Sequence, residues 1–230
     1  MDGWRLRSMR GVSRRANSVW PVDATGSVSL DERIDGAERW YARRGLRAAF
    51  QLSPLSRPAG LEAALEARGY LLEAPVSIQA ASARVVAAEA PRVPAHVDTR
   101  LTDEWFEISA RRGRFAAVSD AYRSLLDRLG AGARYAIAYL DGKPAGVGLG
   151  VVGTVLGDGC LGVFSMLTLP SGRRRGAAQA VLAALAARAV AEGIDRMYLQ
   201  VERDNAPALA LYARASFREA YGYHYRVHGP

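Results

Sequence analysis

Hydrophobic spacing divides the second half of the chain into alternating helical and extended stretches. Ser119 to Leu129 carries Tyr122, Leu125, Leu126 and Leu129 at helical spacing, and Gly130 supplies a stop. Asp103 to Arg112 has the same character, with Thr102 as its N-cap. Tyr135 to Leu140 and Ala145 to Val152 flank Asp141-Gly142-Lys143-Pro144, which predicts a hairpin. Leu161 to Leu169 is an apolar run suited to a buried strand. Ala177 to Glu192 predicts a helix with Leu182, Leu185 and Ala189 inward, ended by Gly193. Strands follow at Met197 to Val201 and Tyr221 to Val227, with a helix capped by Asn205 between them. The order predicts an α/β chain with a mixed, α+β-type sheet.

Composition narrows the classes. Half of the 230 residues are hydrophobic, enough for a real core. Arginines interrupt every apolar run before it reaches membrane-spanning length, and Met1 to Arg5 lacks the apolar stretch of a signal peptide. Cys160 is the single cysteine, so no internal disulfide framework is available. The expectation is a cytoplasmic protein with no membrane contact. The net charge is +8 and Lys143 is the only lysine. The arginines are mostly scattered and accompany no nucleic-acid-binding motif, which argues against a nucleic-acid partner. His96, His224 and His228 show no metal-ligand spacing with Cys160, so no metal is expected.

The most informative stretch is Pro170-Ser-Gly-Arg-Arg-Arg-Gly-Ala-Ala178, between the Leu161 strand and the Ala177 helix. A tight loop at a helix N-terminus gathers backbone N–H groups and partial positive charge. Phosphate fits that geometry, and Arg173, Arg174 and Arg175 add charge-assisted donors. The loop has no lysine for a phosphate-binding Walker loop and lacks the spacing of a dinucleotide fingerprint. The pattern that fits is Arg/Gln-x-x-Gly-x-Gly/Ala, read as Arg173, Gly176 and Ala178. Downstream, Asn205-Ala-Pro-Ala-Leu-Ala-Leu-Tyr212-Ala-Arg-Ala-Ser216-Phe217 looks like Asn-x-x-Ala-x-x-Leu-Tyr-x-x-x-Gly-Phe, with Ser216 where glycine is usual. With both motifs in order, the chain resembles the GNAT superfamily of acyl-CoA-dependent N-acetyltransferases.

The resemblance implies acetyl-CoA as co-substrate, an amine acceptor, and a site spread over two strands and a loop. Arg173, Arg174, Arg175, Gly176, Ala177 and Ala178 would hold the coenzyme's pyrophosphate. Leu167, Thr168 and Leu169 would pair with its pantetheine arm, and the N–H of Leu167 or Thr168 would meet the thioester oxygen. Asn205 would contact the arm or only cap its helix. Tyr212 falls where the family places an acid for the departing thiol. Some relatives carry a carboxylate where this chain has Gln200, so the general base is open. Glu202 is the nearest carboxylate, with Asp103, Asp158 and Tyr223 as other candidates. A non-catalytic acyl-CoA sensor or scaffold is the alternative, and a homodimer is among the open oligomeric states.

An internal repeat organises the first half. Asn17 to Pro21 parallels Met166 to Pro170, the helix Asp31 to Arg44 parallels Ala177 to Glu192, and Leu65 to Tyr70 parallels Leu211 to Phe217. The expected organisation is a degenerate, truncated GNAT-like copy over residues 1–85, a linker over 86–94, and a catalytic copy over 95–230. The first copy's loop, Asp23 to Val28, has no arginine, so this copy should bind no coenzyme.

Overall fold

A computed structural model of the chain describes residues 3–10, 12–23, 25, 27–111, 113, 115–155 and 157–228. Ala24 and Gly26 of the first loop, and Arg112 at the end of a predicted helix, lie outside the described residues. The elements run β1 (Arg5–Leu6), β2 (Val19–Trp20), α1 (Leu30–Ala42), β3 (Ala49–Leu52), α2 (Leu61–Ala67), β4 (Tyr70–Ser82), α3 (Ala83–Ala88) and β5 (Ala95–Asp98). They continue with α4 (Asp103–Phe106), α5 (Ser119–Asp127), β6 (Ala133–Leu140), β7 (Lys143–Val155) and β8 (Asp158–Thr168). The last are α6 (Ala177–Ala191), β9 (Arg196–Glu202), α7 (Ala206–Arg214) and β10 (Arg218–His228).

Two compact units divide the chain: residues 1–77 with 221–230, and residues 78–220. The grouping departs from the boundaries expected from sequence in two places. The final strand groups with the first unit because Ala49 to Leu52 pairs antiparallel with His224 to Val227. Residues 86–94, expected as a linker, instead begin inside α3, and Val86 and Val93 are buried in the second unit's core. The alternation of small and β-branched residues in Ala83-Arg-Val-Val-Ala-Ala88 suits a short helix under α6 as well as it suits a joint.

In the first unit, β2 runs parallel to β3, and α1 and α2 pack Ile34, Tyr41 and Leu65 around Phe50 and Tyr70. Arg226 is buried there against Glu62, at 3.0 Å, and the carbonyl of Tyr70.

In the second unit the strand order is β9-β8-β7-β6-β5. Neighbours are antiparallel except β8 and β9, which are parallel and joined through α6. Asp141 and Gly142, both at positive φ, make a two-residue turn between β6 and β7. Lys143 and Pro144, read as turn residues in the sequence, already belong to β7. The helix expected over Asp103 to Arg112 changes pitch: Asp103–Phe106 is α-helical and Glu107–Arg111 is a π turn. α6 lays Val181, Leu182 and Leu185 on Leu161, Val163 and Leu199. Each fully buried leucine contributes about 2 kcal/mol. Gly146-Val-Gly-Leu-Gly150 serves this packing. A Cβ at Gly148 would fall 2.6 Å from Val181 and Met166 side-chain atoms. The glycines therefore let α6 lie close on β7.

Candidate acyl-transfer site

The site is built where β8 and β9 stop pairing. Cys160↔Arg196 through Val163↔Leu199 are paired, and Val163 and Leu199 are the last. Both strands continue, β8 to Thr168 and β9 to Glu202, so a fork opens between Phe164–Thr168 and Gln200–Glu202. Burial along β8 changes at the same point: residues 160–163 are buried and 164–168 are half-buried. Phe164 and Tyr198 meet edge-to-face at 6.0 Å beside the start of the fork. A Cβ on Gly162 would lie 2.8 Å from the Tyr198 ring, so this glycine makes room for it.

Register decides which backbone groups face the fork. The amide of Leu169 donates to the carbonyl of Ala145 at 2.9 Å, and Leu167 sits opposite Val147. Hydrogen-bonded pairs in an antiparallel ladder recur every second residue. Leu167 and Leu169 therefore turn their amides to β7, while Met166 and Thr168 turn theirs toward the fork. This corrects the expected set of Leu167, Thr168 and Leu169: only Thr168 of the three offers its N–H there. Met166, absent from that set, offers the other. Hydropathy holds no trace of this, because side-chain type does not report which edge an amide faces. Leu169 instead lines a cleft of about 760 Å³, together with Pro170, Glu104, Glu107 and Arg175.

The loop that follows is tight. Pro170–Gly172 forms one 3-10 turn, and Arg174 and Gly176 take positive φ of 58° and 90°. Left-handed residues bend successive amides to one side. The amides of Arg173 and Arg175 go to the carbonyls of Pro170 and Gly172. Those of Gly176, Ala177 and Ala178 meet no acceptor among the described residues, and no side chain caps α6. Gly172 is fixed by crowding, since its Cβ would lie 2.4 Å from the Ala145 carbonyl oxygen.

Arg173 and Arg174 are exposed, and Arg175 makes a long ion pair of 3.4 Å with Asp141 in the hairpin turn. Arg92 also belongs here: its Cβ would be 3.7 Å from one at Gly176. Nothing in a pattern search finds Arg92, because it lies 81 to 83 residues from the three loop arginines. Uncapped amides and flanking guanidinium groups make a donor set suited to a diphosphate.

The remaining candidates fall around the fork. Gln200 is half-buried on β9 and shares its strand face with Tyr198 and Glu202. The opposite face, Met197, Leu199 and Val201, is core. Glu202 is exposed, and its carbonyl accepts from the amide of Asn205. Asn205 caps α7, its side-chain oxygen accepting from the Ala208 amide at 3.2 Å. Tyr212 on α7 is 7% exposed and packs against Phe217 at 6.0 Å. Ser216, standing where glycine is usual, adopts the left-handed φ of 63° that makes glycine usual. Of the other candidate bases, Asp103 and Asp158 are exposed and ion-paired to Arg123 and Arg196, and Tyr223 belongs to the first unit. Cys160 is buried, and burial pushes its thiol up, away from nucleophilic use. Among the described residues no cluster of His, Cys, Asp or Glu is arranged for a metal, and no helix is long and apolar enough to cross a membrane.

Residues 1–226 match the family described as "Probable histone acetyltransferase Rv0428c C-terminal". The chain is 27% identical over 233 positions to the uncharacterized N-acetyltransferase YobR of Bacillus subtilis, spanning 97% of this chain and 89% of that one. It is 31% identical over 224 positions to the mycothiol acetyltransferase of Clavibacter michiganensis, spanning 93% of this chain and 66% of the relative. Its fold is like that of a solved tandem GNAT protein from the clavulanic acid biosynthesis pathway. That match has a TM-score of 0.64 at 18% identity, over 93% of this chain and 76% of the other.

Proposed function

The chain belongs to this acetyltransferase family, within the GNAT superfamily, and from that premise we propose that its second unit transfers acetyl from acetyl-CoA to a primary amine. The observation that carries the reading is the uncapped start of α6 directly after the strand that borders the fork. The coenzyme's diphosphate binds the amides of Gly176, Ala177 and Ala178, with Arg173, Arg174 and Arg175 around it. Its arm runs along β8 past Thr168. The Thr168 N–H, with that of Met166 beside it, donates to the thioester oxygen as negative charge develops there.

The reaction is direct attack in a ternary complex. The amine nitrogen bonds the acetyl carbon, the carbon–sulfur bond breaks, and the ammonium proton leaves through water. Gln200 orients that water or the amine, because a carboxamide does not take up a proton at neutral pH. Glu202, exposed at the end of β9, takes the proton from the water. Tyr212 donates its hydroxyl proton to the leaving sulfur and regains one from solvent. Asn205 holds the start of α7, and so the helix that carries Tyr212. The first unit is a degenerate copy of the fold that binds no coenzyme. Its parallel β2 and β3 joined through α1, and the fold likeness to a tandem GNAT protein, support that part. A cytoplasmic location belongs to the same reading.

One observation favours a second reading, an acyl-CoA-binding scaffold without turnover: Gln200 stands where a base is useful. Free-thiol release from acetyl-CoA, measured across small-molecule amines, polyamines and peptides, separates the two. Amine-dependent release supports transfer. Tight acetyl-CoA binding with no release for any amine supports the scaffold.

A further inference from the structure

The fork depends on one extra residue in β8. Val147 pairs with Leu167, but two positions on Leu149 pairs with Phe164, so Ser165 and Met166 together face Gly148. Ser165 is the bulged residue, with φ of 48°. A serine holds that left-handed conformation only where its surroundings enforce it. The bulge also sets the amide alternation: if the register of residues 162–164 ran on without it, Thr168 would fall opposite Ala145 and its N–H would turn from the fork to β7.

The enforcing contact is the hydroxyl of Tyr122, on α5, at 2.8 Å from Ser165 Oγ. Tyr122 is 2% exposed, and its ring is stacked on Phe115 at 4.0 Å. The same hydroxyl lies 3.2 Å from the buried hydroxyl of Ser109, in the π turn that follows α4. A π turn inserts one residue into a helix and re-aims the side chains after it. Two irregularities of the unit, a bulge in the strand and an insertion in the helix, are therefore joined by one buried tyrosine hydroxyl.

We propose that Tyr122 and Ser165 form a latch that holds the β8 bulge, and that both are positioning residues for acetyl transfer. The inference rests on the acyl-transfer reading of the fork, but its mechanical part stands apart from it. The latch lies on β8 and α5, away from the 173–178 loop, so it governs the reacting end of the thioester and not the grip on the diphosphate.

The test combines turnover with hydrogen exchange. Tyr122→Phe and Ser165→Ala should each lower kcat about 5- to 10-fold, the worth of one buried hydrogen bond, with coenzyme A affinity unchanged within about 2-fold. Ser165→Gly should restore kcat to within about 2-fold of the parent, since glycine takes the left-handed conformation without help. In that background Tyr122→Phe should be silent. Independent of turnover, Tyr122→Phe should speed amide exchange in residues 164–168 about 10-fold while residues 160–163 keep their protection. Equal exchange at 164–168 in parent and variant overturns the latch. So does Ser165→Gly as impaired as Ser165→Ala, which would make the hydroxyl a substrate contact. Faster exchange in Tyr122→Phe, with no turnover in the parent, would keep the latch and count against the acyl-transfer reading instead.

Discussion

Two helices in this chain follow a strand and a loop, and their first turns are built in opposite ways. α1 is closed by its own side chains. The Ser29 hydroxyl accepts from the Glu32 amide at 3.3 Å, and the Glu32 carboxylate accepts from the Ser29 amide at 3.0 Å. Asp31 and Glu32 complete an acidic first turn, and the Ser29 hydrogen bonds hold the Glu32 carboxyl below its ordinary range. The buried Arg33 occupies the carbonyls of Thr25 and Val28 in the loop before it. At α6 none of this exists: the N-cap is Gly176, the first turn holds no acid, and three arginines precede it. The first end is electrically satisfied and repels an anion. The second leaves donors and positive charge for one. The difference teaches that a helix start after a strand and a loop gains or loses free donors and positive charge through a few cap residues.

The contrast can be broken most severely by moving charge. Ala178→Glu puts the acidic first turn of α1 onto α6, and acetyl-CoA should bind about 100-fold more weakly by calorimetry. An acid in a first turn stabilises a helix, so the melting temperature should not fall and unfolding cannot be the cause. Removing attraction is milder. Arg173→Ala with Arg175→Ala should weaken binding about 10- to 30-fold, with a smaller loss at high salt.

The far end of α6 provides a third comparison, because there the helix is closed. Arg134 grips Glu192 through two hydrogen bonds of 2.8 and 2.9 Å, and Arg188, a second partner, adds a third. Arg134 foremost lowers the Glu192 carboxyl from its ordinary value. Since the folded state depresses this pKa, the stabilisation is complete above about pH 4.3 and disappears as pH falls through the lower folded value. Glu192→Gln should cost about 1 to 2 kcal/mol at pH 7 in denaturant melts. That gap should close in the acid range. Smallest, Ser29→Ala should cost about 1 kcal/mol of stability and leave acetyl-CoA binding and turnover unaltered.

Much of this contrast is legible in the sequence. The cap serine, the acidic turn, the arginine run and the Asp141-Gly142 turn are local signals, and local signals survive in a string of residues. The loop Pro170 to Ala178 and the capping role of Asn205 could be placed from it for the same reason. What escaped depends on pairing between distant strands. The fork exists because β8 and β9 part after Val163 and Leu199, and no composition marks that point. The bulge at Ser165 resets which amides face outward, so Leu167 and Leu169, expected at the fork, turn their amides to β7, and those of Thr168 and Met166 face the fork. Residues 221–230 group with the first unit because their ladder partner is β3, some 170 residues away in the chain. Arg92 reaches Gly176 through the packing of α3 and the segment after it, which read as a joint because alanine and proline dominate it.

The central claim is that one open helix start binds one coenzyme. Isothermal titration of the full chain with coenzyme A tests it most directly. The account predicts a single site, one coenzyme per chain, that weakens in Arg173→Ala/Arg175→Ala and is indifferent to Ser29→Ala. Two coenzymes per chain, or a single site untouched by the arginine substitutions, would contradict it.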